Sequence, residues 1–165
     1  MAIFSFFTKY IQLYQSRFYE DTYWRMRQYC QFRKGWKQYY YLIRLRRVEN
    51  SMNASTGLGL NTDDSPMCHI NGKLILPHRL NNIIIARNVE IGSNVTIYQN
   101  VTIAEANKYK KTIIGDNVLI GAGAVILNNV KIGDNAKIGA NAVVLKDISS
   151  GATCVGNPGR IILKD

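Results

Sequence analysis

Of the two histidines in the chain, His78 has the more suggestive setting. It stands in Ile75-Leu76-Pro77-His78-Arg79-Leu80-Asn81-Asn82, directly ahead of Ile83, Ile84 and Ile85. A neutral imidazole near pH 7 takes the proton of a hydroxyl as that hydroxyl attacks a carbonyl, so a histidine suits acyl transfer to an alcohol. A lone histidine beside a proline suits a turn equally well, and residue type alone does not choose between them. Cys30, Cys68 and Cys154 are odd in number, far apart and without a CxxC pair. That pattern fits neither a disulfide framework nor a zinc site, and it suits a reducing cytoplasm. With two histidines in all, a centre built from three imidazoles is not expected, and no metal is.

What must position His78 is the tract that follows it. From Ile85 an aliphatic residue returns every six residues, at Ile91, Ile97 and Ile103; after an eleven-residue step it resumes at Ile114, Ile120, Ile126, Ile132, Ile138 and Val144. Glycine usually comes next, as in IGSNVT, IGDNVL, IGAGAV, IGDNAK and IGANAV. A period of six fits neither a helix nor a hairpin meander. It fits one short strand and one corner per hexapeptide, three hexapeptides to a triangular coil, with like positions of successive coils stacked about 4.8 Å apart as parallel strands. Gly, Asn and Asp tolerate the tight corners. The sequence therefore predicts a mainly β domain over 51–165, a parallel β-helix, with the surplus residues between Ile103 and Ile114 extruded from a corner as a loop around 104–112.

Residues 1–50 obey a different grammar. They hold fifteen of the seventeen aromatic residues, ten Lys or Arg against three Asp or Glu, and a single glycine, Gly35. Residues 51–165 carry eleven basic against eight acidic side chains, so most of the net charge of +10 sits in the first third. This composition predicts a helical N-terminal segment. Phe4, Phe7, Ile11, Tyr14 and Phe18 make one stripe at spacings of three and four, and a second helix runs from about Asp21 to Arg47 with a break near Gly35. The apolar run in MAIFSFFTKYIQ is interrupted by Lys9, well short of the ~20 residues of a membrane span, and no A-x-A cleavage signal follows. Neither a transmembrane helix nor a secretion signal is expected. Two readings of the aromatic stripe stay open: packing on the rest of the protein or a sister subunit, or contact with an anionic membrane surface, where aromatic and cationic side chains both gain. Nucleic acid is not an expected partner, because no nucleic-acid motif accompanies the charge.

The segments PHRLNNIIIARNVEIGSNVTIYQNVTI, IGDNVLIGAGAVILNNVKIGDNAKIGANAVVLKDI and VGNPGRII, in this order, resemble the left-handed β-helix acyltransferases. Within that superfamily they look most like serine acetyltransferase and its relatives that acetylate bacterial surface polysaccharides. The resemblance, not the period, implies the left hand of the coil, an exception to the usual right-handed crossover. It also implies an acetyl-CoA-dependent O-acetyltransferase and a homotrimer with active sites between subunits. His78 occupies the place of the family's catalytic base, and Asp63, fifteen residues earlier, the place of the aspartate that orients it. By the same resemblance, main-chain groups near Gly121, Ala122, Gly123, Gly139 and Ala140 line the pantetheine arm of CoA. Gly156, Pro158, Arg160 and Lys164, in and after the turn GNPGR, border its nucleotide end, Arg160 and Lys164 as partners for phosphates.

The chain departs from serine acetyltransferase on the acceptor side. About fifty residues precede the linker 50–59, too few for that family's large helical domain. Lys111, in YKKTIIGDNV, stands near the place of a family histidine, and Ala104-Glu105 replaces a glycine pair after VTI. These changes favour, as acceptor, a sugar hydroxyl of a bacterial surface polysaccharide or of its lipid-linked precursor. The enzyme is then expected in the bacterial cytoplasm, peripheral to the inner face of the membrane. Asn82, Tyr98, Gln99, Asn100 and Lys111 are the residues expected near the acceptor, since amide and phenol groups suit sugar hydroxyls. Serine or another small acceptor is the alternative within the same reaction. A non-catalytic β-helix scaffold is the alternative outside it.

Overall fold

The computed structural model describes residues 22–33, 35–57, 67–104, 111–127 and 129–162. The stripe from Phe4 to Phe18, the aspartate Asp63, Lys164 and loop residues 105–110 lie outside them. The chain divides into two compact units, Met1–Leu45 and Arg46–Asp165.

Two helices are described, α1 over residues 22–32 and α2 over Trp36–Ser51. Between them Gly35 takes φ +130°, a backbone conformation that costs a glycine little, which is why the break falls there. In the first unit Gln38 joins the helices: its Nε2 donates to the Cys30 carbonyl at 3.1 Å, and the Cys30 thiol lies 3.8 Å from the Gln38 carbonyl. Burial pushes the Cys30 thiol up from its ordinary 9.0 to about 11, with the Arg27 cation acting the other way. Burial likewise raises Cys154 in the second unit. All three cysteines are free and buried. Native protein at pH 8 is therefore expected to react negligibly with an aromatic disulfide reagent, and to show all three thiols once denatured. The stability that depends on a neutral Cys30 is present below the ordinary value of 9.0 and is lost as the pH rises toward about 11.

From Ser55 onward the chain makes β1 (Ser55–Thr56), β2 (His69–Ile70), β3 (Ile84–Ile85), β4 (Val89–Ile91), β5 (Thr96–Ile97), β6 (Thr102–Ile103) and β7 (Thr112–Ile114). There follow β8 (Leu119–Ile120), β9 (Val125–Ile126), β10 (Lys131–Ile132), β11 (Lys137–Ile138), β12 (Val143–Val144), β13 (Thr153–Val155) and β14 (Arg160–Ile162). They form three sheets, ordered β1-β3-β6-β9-β12, β2-β4-β7-β10 and β5-β8-β11-β13-β14. Every pairing is parallel except β13 with β14. Consecutive strands never pair within the parallel part, so the chain winds from sheet to sheet. The fold is the β-helix of hexapeptide repeats expected from the period, with two short helices ahead of it.

The six-residue rhythm is the rhythm of burial. Ile91, Ile97, Ile103, Ile114, Ile120, Ile126, Ile132, Ile138 and Val144 are all buried inside the prism. A strand alternates its faces, so the residue two positions earlier also points inward. Those positions hold Val89, Val95, Val101, Thr112 and Val118 in the earlier coils and Ala124, Val130, Ala136 and Ala142 in the later ones, all buried. Each buried isoleucine contributes about 1.5–3 kcal/mol, which more than offsets the small return from strands of two or three residues.

The start of the prism is closed by the end of α2. Glu49 is fully buried; its Oε1 accepts the Thr56 N–H at 3.0 Å and also the Thr56 hydroxyl, while Oε2 accepts from Arg46 Nη1 at 3.4 Å. At the other end the core opens into a cavity of about 280 Å³, floored by Val144, Ile148 and Cys154 and flanked by Ile161.

Corners repeat as strictly as strands. Asn94, Asn117 and Asn135 take φ of 56°, 56° and 60° at one edge of the prism. Asp116 Oδ1 accepts the Ser93 N–H at 2.6 Å and Asp134 Oδ1 accepts the Asp116 N–H at 2.8 Å, which ties each corner to the next coil. Asn117→Val is expected to destabilise the protein by about 1–2 kcal/mol in urea unfolding, because a β-branched residue resists positive φ. Asn117→Gly, free of that strain, is expected to stay close to the parent.

Candidate active site

His78 sits in the turn that ends the first coil. Arg79 N–H donates to the Leu76 carbonyl at 3.0 Å and Ile83 N–H to the Leu80 carbonyl at 3.2 Å, with Arg79 at φ 58°. Leu80 is buried and anchors the turn, whereas His78 is exposed. Its ring lies against that of Tyr98, with centroids 5.9 Å apart and planes at 48°. Among the described residues neither imidazole nitrogen has a hydrogen-bond partner; the residue expected to orient it, Asp63, is not among them.

Tyr98 belongs to the corner that leaves β5, and the main chain ties that corner to its neighbours. Asn100 N–H donates to the Asn81 carbonyl at 3.2 Å, Gly123 N–H to Gln99 at 3.0 Å and Asn141 N–H to Ala122 at 2.8 Å. Val143 N–H donates to Gly156 at 3.0 Å and Gly159 N–H to Val143 at 2.8 Å. One edge of the prism therefore carries, in order, the His78 turn, Tyr98-Gln99-Asn100, Gly121-Ala122-Gly123, Gly139-Ala140-Asn141 and the Gly156–Gly159 turn. Residues chosen from distant parts of the sequence fall into a single column. Four coil steps of ~4.8 Å separate its ends, roughly 19 Å.

The middle of the column is narrow because backbone runs close to backbone. A Cβ on Gly121 would lie 2.6 Å from the Ala140 nitrogen, and one on Gly123 would collide with the Asn141 side-chain oxygen. Gly159 is equally confined, 2.7 Å from the Val143 carbonyl oxygen and 2.8 Å from Cys154 Sγ. Glycine at these places is what lets successive coils stack so closely along this edge.

At the His78 end the amides stack. Asn53 Nδ2 donates to Asn82 Oδ1 at 2.9 Å, and Asn82 Nδ2 donates to Asn100 Oδ1 at 3.0 Å. Asn82 is thus engaged on both sides within the edge, while among the described residues the buried Gln99 Oε1 has no hydrogen-bond partner. Sequence reading passed over Asn53 and Asn141. Asn141 could have been found from its place in IGANAV, which corresponds to that of Gly123 in IGAGAV; Asn53 lies before the repeats and carries no such signal.

One expected residue stands elsewhere. Lys111 precedes β7 in the β2-β4-β7-β10 sheet, where its Nζ is bound to the Glu90 carboxylate. Arg160 begins β14, which folds back on β13 with Arg160 opposite Val155, so it is exposed beside the last corner. Among the described residues no cluster of three His, Cys, Asp or Glu is placed to hold a metal ion.

Residues 111–146 match the family described as bacterial transferase hexapeptide (six repeats). Among solved structures, the chain is similar to the serine acetyltransferase of Neisseria gonorrhoeae, with 30% identity and a TM-score of 0.62 over 77% of this chain and 45% of that one. The soybean serine acetyltransferase apoenzyme is 34% identical, with a TM-score of 0.62 over 77% and 50%. A serine acetyltransferase in complex with CoA is 28% identical, with a TM-score of 0.63 over 76% and 48%. The chain spans about half the length of each of these proteins. No curated protein matches it. The chain is thus a left-handed β-helix that resembles serine acetyltransferases; these neighbours are not polysaccharide acetyltransferases, and the similarity backs the serine alternative better than the saccharide acceptor expected from the sequence.

Proposed function

We propose that the chain is an acetyl-CoA-dependent O-acetyltransferase, with His78 as general base and the edge running from His78 to Gly159 as its donor site. The observation that carries this reading is the alignment of an exposed imidazole with a column of glycine and alanine corners on one edge of the prism. A neutral His78 removes the proton of the acceptor hydroxyl as its oxygen attacks the thioester carbonyl. The tetrahedral oxyanion takes a hydrogen bond from a main-chain N–H. Collapse expels the thiolate of CoA, which recovers the proton from the imidazolium. The pantetheine arm lies along Gly121, Ala122, Gly123, Gly139 and Ala140, and Arg160, exposed at the far end, meets a phosphate. Tyr98 packs on the imidazole and forms one wall of the acceptor position. A homotrimer, with active sites between subunits, accompanies this reading. Outward-facing Ile84 on β3 gives the first sheet an apolar surface to bury in it.

The similarity to serine acetyltransferases supports serine as the acceptor. A saccharide hydroxyl is the second reading, and Lys111 favours it. Where that family is expected to carry an imidazole, this chain has a lysine already committed to Glu90. The test is release of the CoA thiol from acetyl-CoA in the presence of serine, free sugars, nucleotide sugars or oligosaccharide repeat units. Turnover with serine alone removes the saccharide reading, and turnover with sugars alone removes serine. No turnover with any hydroxyl, combined with no binding of CoA, leaves a β-helix scaffold.

A further inference from the structure

The helical unit carries a surface that acetyl transfer does not use. On α2, Trp36, Tyr40 and Ile43 recur at i, i+4 and i+7 and are 76%, 51% and 57% exposed, with Tyr39 at 56% beside them. Gln38 and Leu45, on the opposite face of the helix, are buried. Phe32, at the end of α1, is 68% exposed. A single exposed aromatic is ordinary, but a row of them on one helix face marks a contact surface.

Charge narrows the partner. From Phe32 to Leu45 the chain has no Asp or Glu, while Arg33, Lys37 and Arg44 are all exposed. Lys37 Nζ lies 5.7 Å from the centre of the Trp36 ring. The Arg44 guanidinium lies 5.8 Å from the Tyr40 ring centre, and its Nη1 donates to the Tyr40 hydroxyl at 3.3 Å. Rings with polar edges, flanked by cations, match the boundary between anionic head groups and acyl chains, where both kinds of side chain gain. A second copy of this face would oppose cations to cations with no carboxylate to answer them. No described helix is long and apolar enough to cross a membrane, so the contact lies along the surface.

We propose that this face of α2 binds the surface of an anionic phospholipid bilayer. The contact is independent of the acetyl-transfer reading. The full chain is sedimented with vesicles of phosphatidylcholine alone and with vesicles that also contain phosphatidylglycerol. Binding to the anionic vesicles is expected, weakening as salt is added. The Trp36→Ala, Tyr40→Ala pair should reduce it roughly 10-fold, and Arg33→Gln, Lys37→Gln and Arg44→Gln together roughly 100-fold. These positions are exposed, and circular dichroism verifies that the helices persist. His78→Ala should bind the vesicles as the parent does, so the failure of either reading is visible without the other. The proposal is overturned by absent binding to anionic vesicles, by equal binding to neutral ones, or by unchanged binding of the variants.

Discussion

His78→Ala is expected to slow acetyl transfer by roughly 10²- to 10⁴-fold without altering the unfolding midpoint. The first half follows from chemistry. An alcohol is a poor nucleophile until its proton is taken, and on the candidate edge His78 is the side chain suited to take it near neutral pH. The second half follows from placement. The imidazole is exposed and touches Tyr98, while the turn around it is held by main-chain hydrogen bonds and by buried Leu80. Removing it opens no cavity in the prism. The measurement is the rate of CoA thiol release by parent and variant, with melting curves of both; the buried protein thiols keep the background of such an assay low. A variant that retains the parent's rate would sink the assignment. Tyr98→Phe separates packing from chemistry: it keeps the ring beside the imidazole, so a loss of rate there would point to the phenol as a contact of the acceptor.

Ile120→Ala is expected to have the largest effect on stability, a loss of about 2–5 kcal/mol in urea unfolding. Ile120 is fully buried and lies in register between Ile97 of the coil before and Ile138 of the coil after. The interior is filled by side chains stacked coil on coil, so neighbours can close the gap only by drawing coils together, which the main-chain ladder prevents. Lys137→Ala, one strand away in the same sheet and facing solvent, is the control and should change stability by less than about 0.5 kcal/mol. Equal effects at the two positions would contradict a core that runs along the prism axis.

The neighbours' serine acetyltransferase chemistry and this chain's own acceptor side pull in different directions, and the reason is physical. In the proposed reaction donor binding rests on backbone and small corners, which any β-helix of this pattern repeats. Acceptor recognition rests on individual side chains, and it is at single positions of the sequence, Lys111 and Ala104-Glu105, that this chain departs from the serine acetyltransferase pattern.

The six-residue spacing determined the solenoid from the sequence alone. Each repeat buries its aliphatic residue against the next one along the axis, so the pattern that stabilises the fold is local and repeats along the chain. The break between the two helices was legible for a similar reason, since Gly35 occupies a conformation that is costly for other residues. What only the tertiary structure decided is which corners share an edge. That depends on how the irregular stretch before β3 and the loop between β6 and β7 are accommodated, because each inserts residues without advancing the coil. With those steps in place, His78, Tyr98, Gly121, Gly139 and Gly156 stand in one column, Asn82 is held between Asn53 and Asn100, and Lys111 falls on a different sheet beside Glu90. A period tells which side chains point inward. The register of the coils, closed by hydrogen bonds between residues far apart in sequence, decides which outward ones can meet a common ligand.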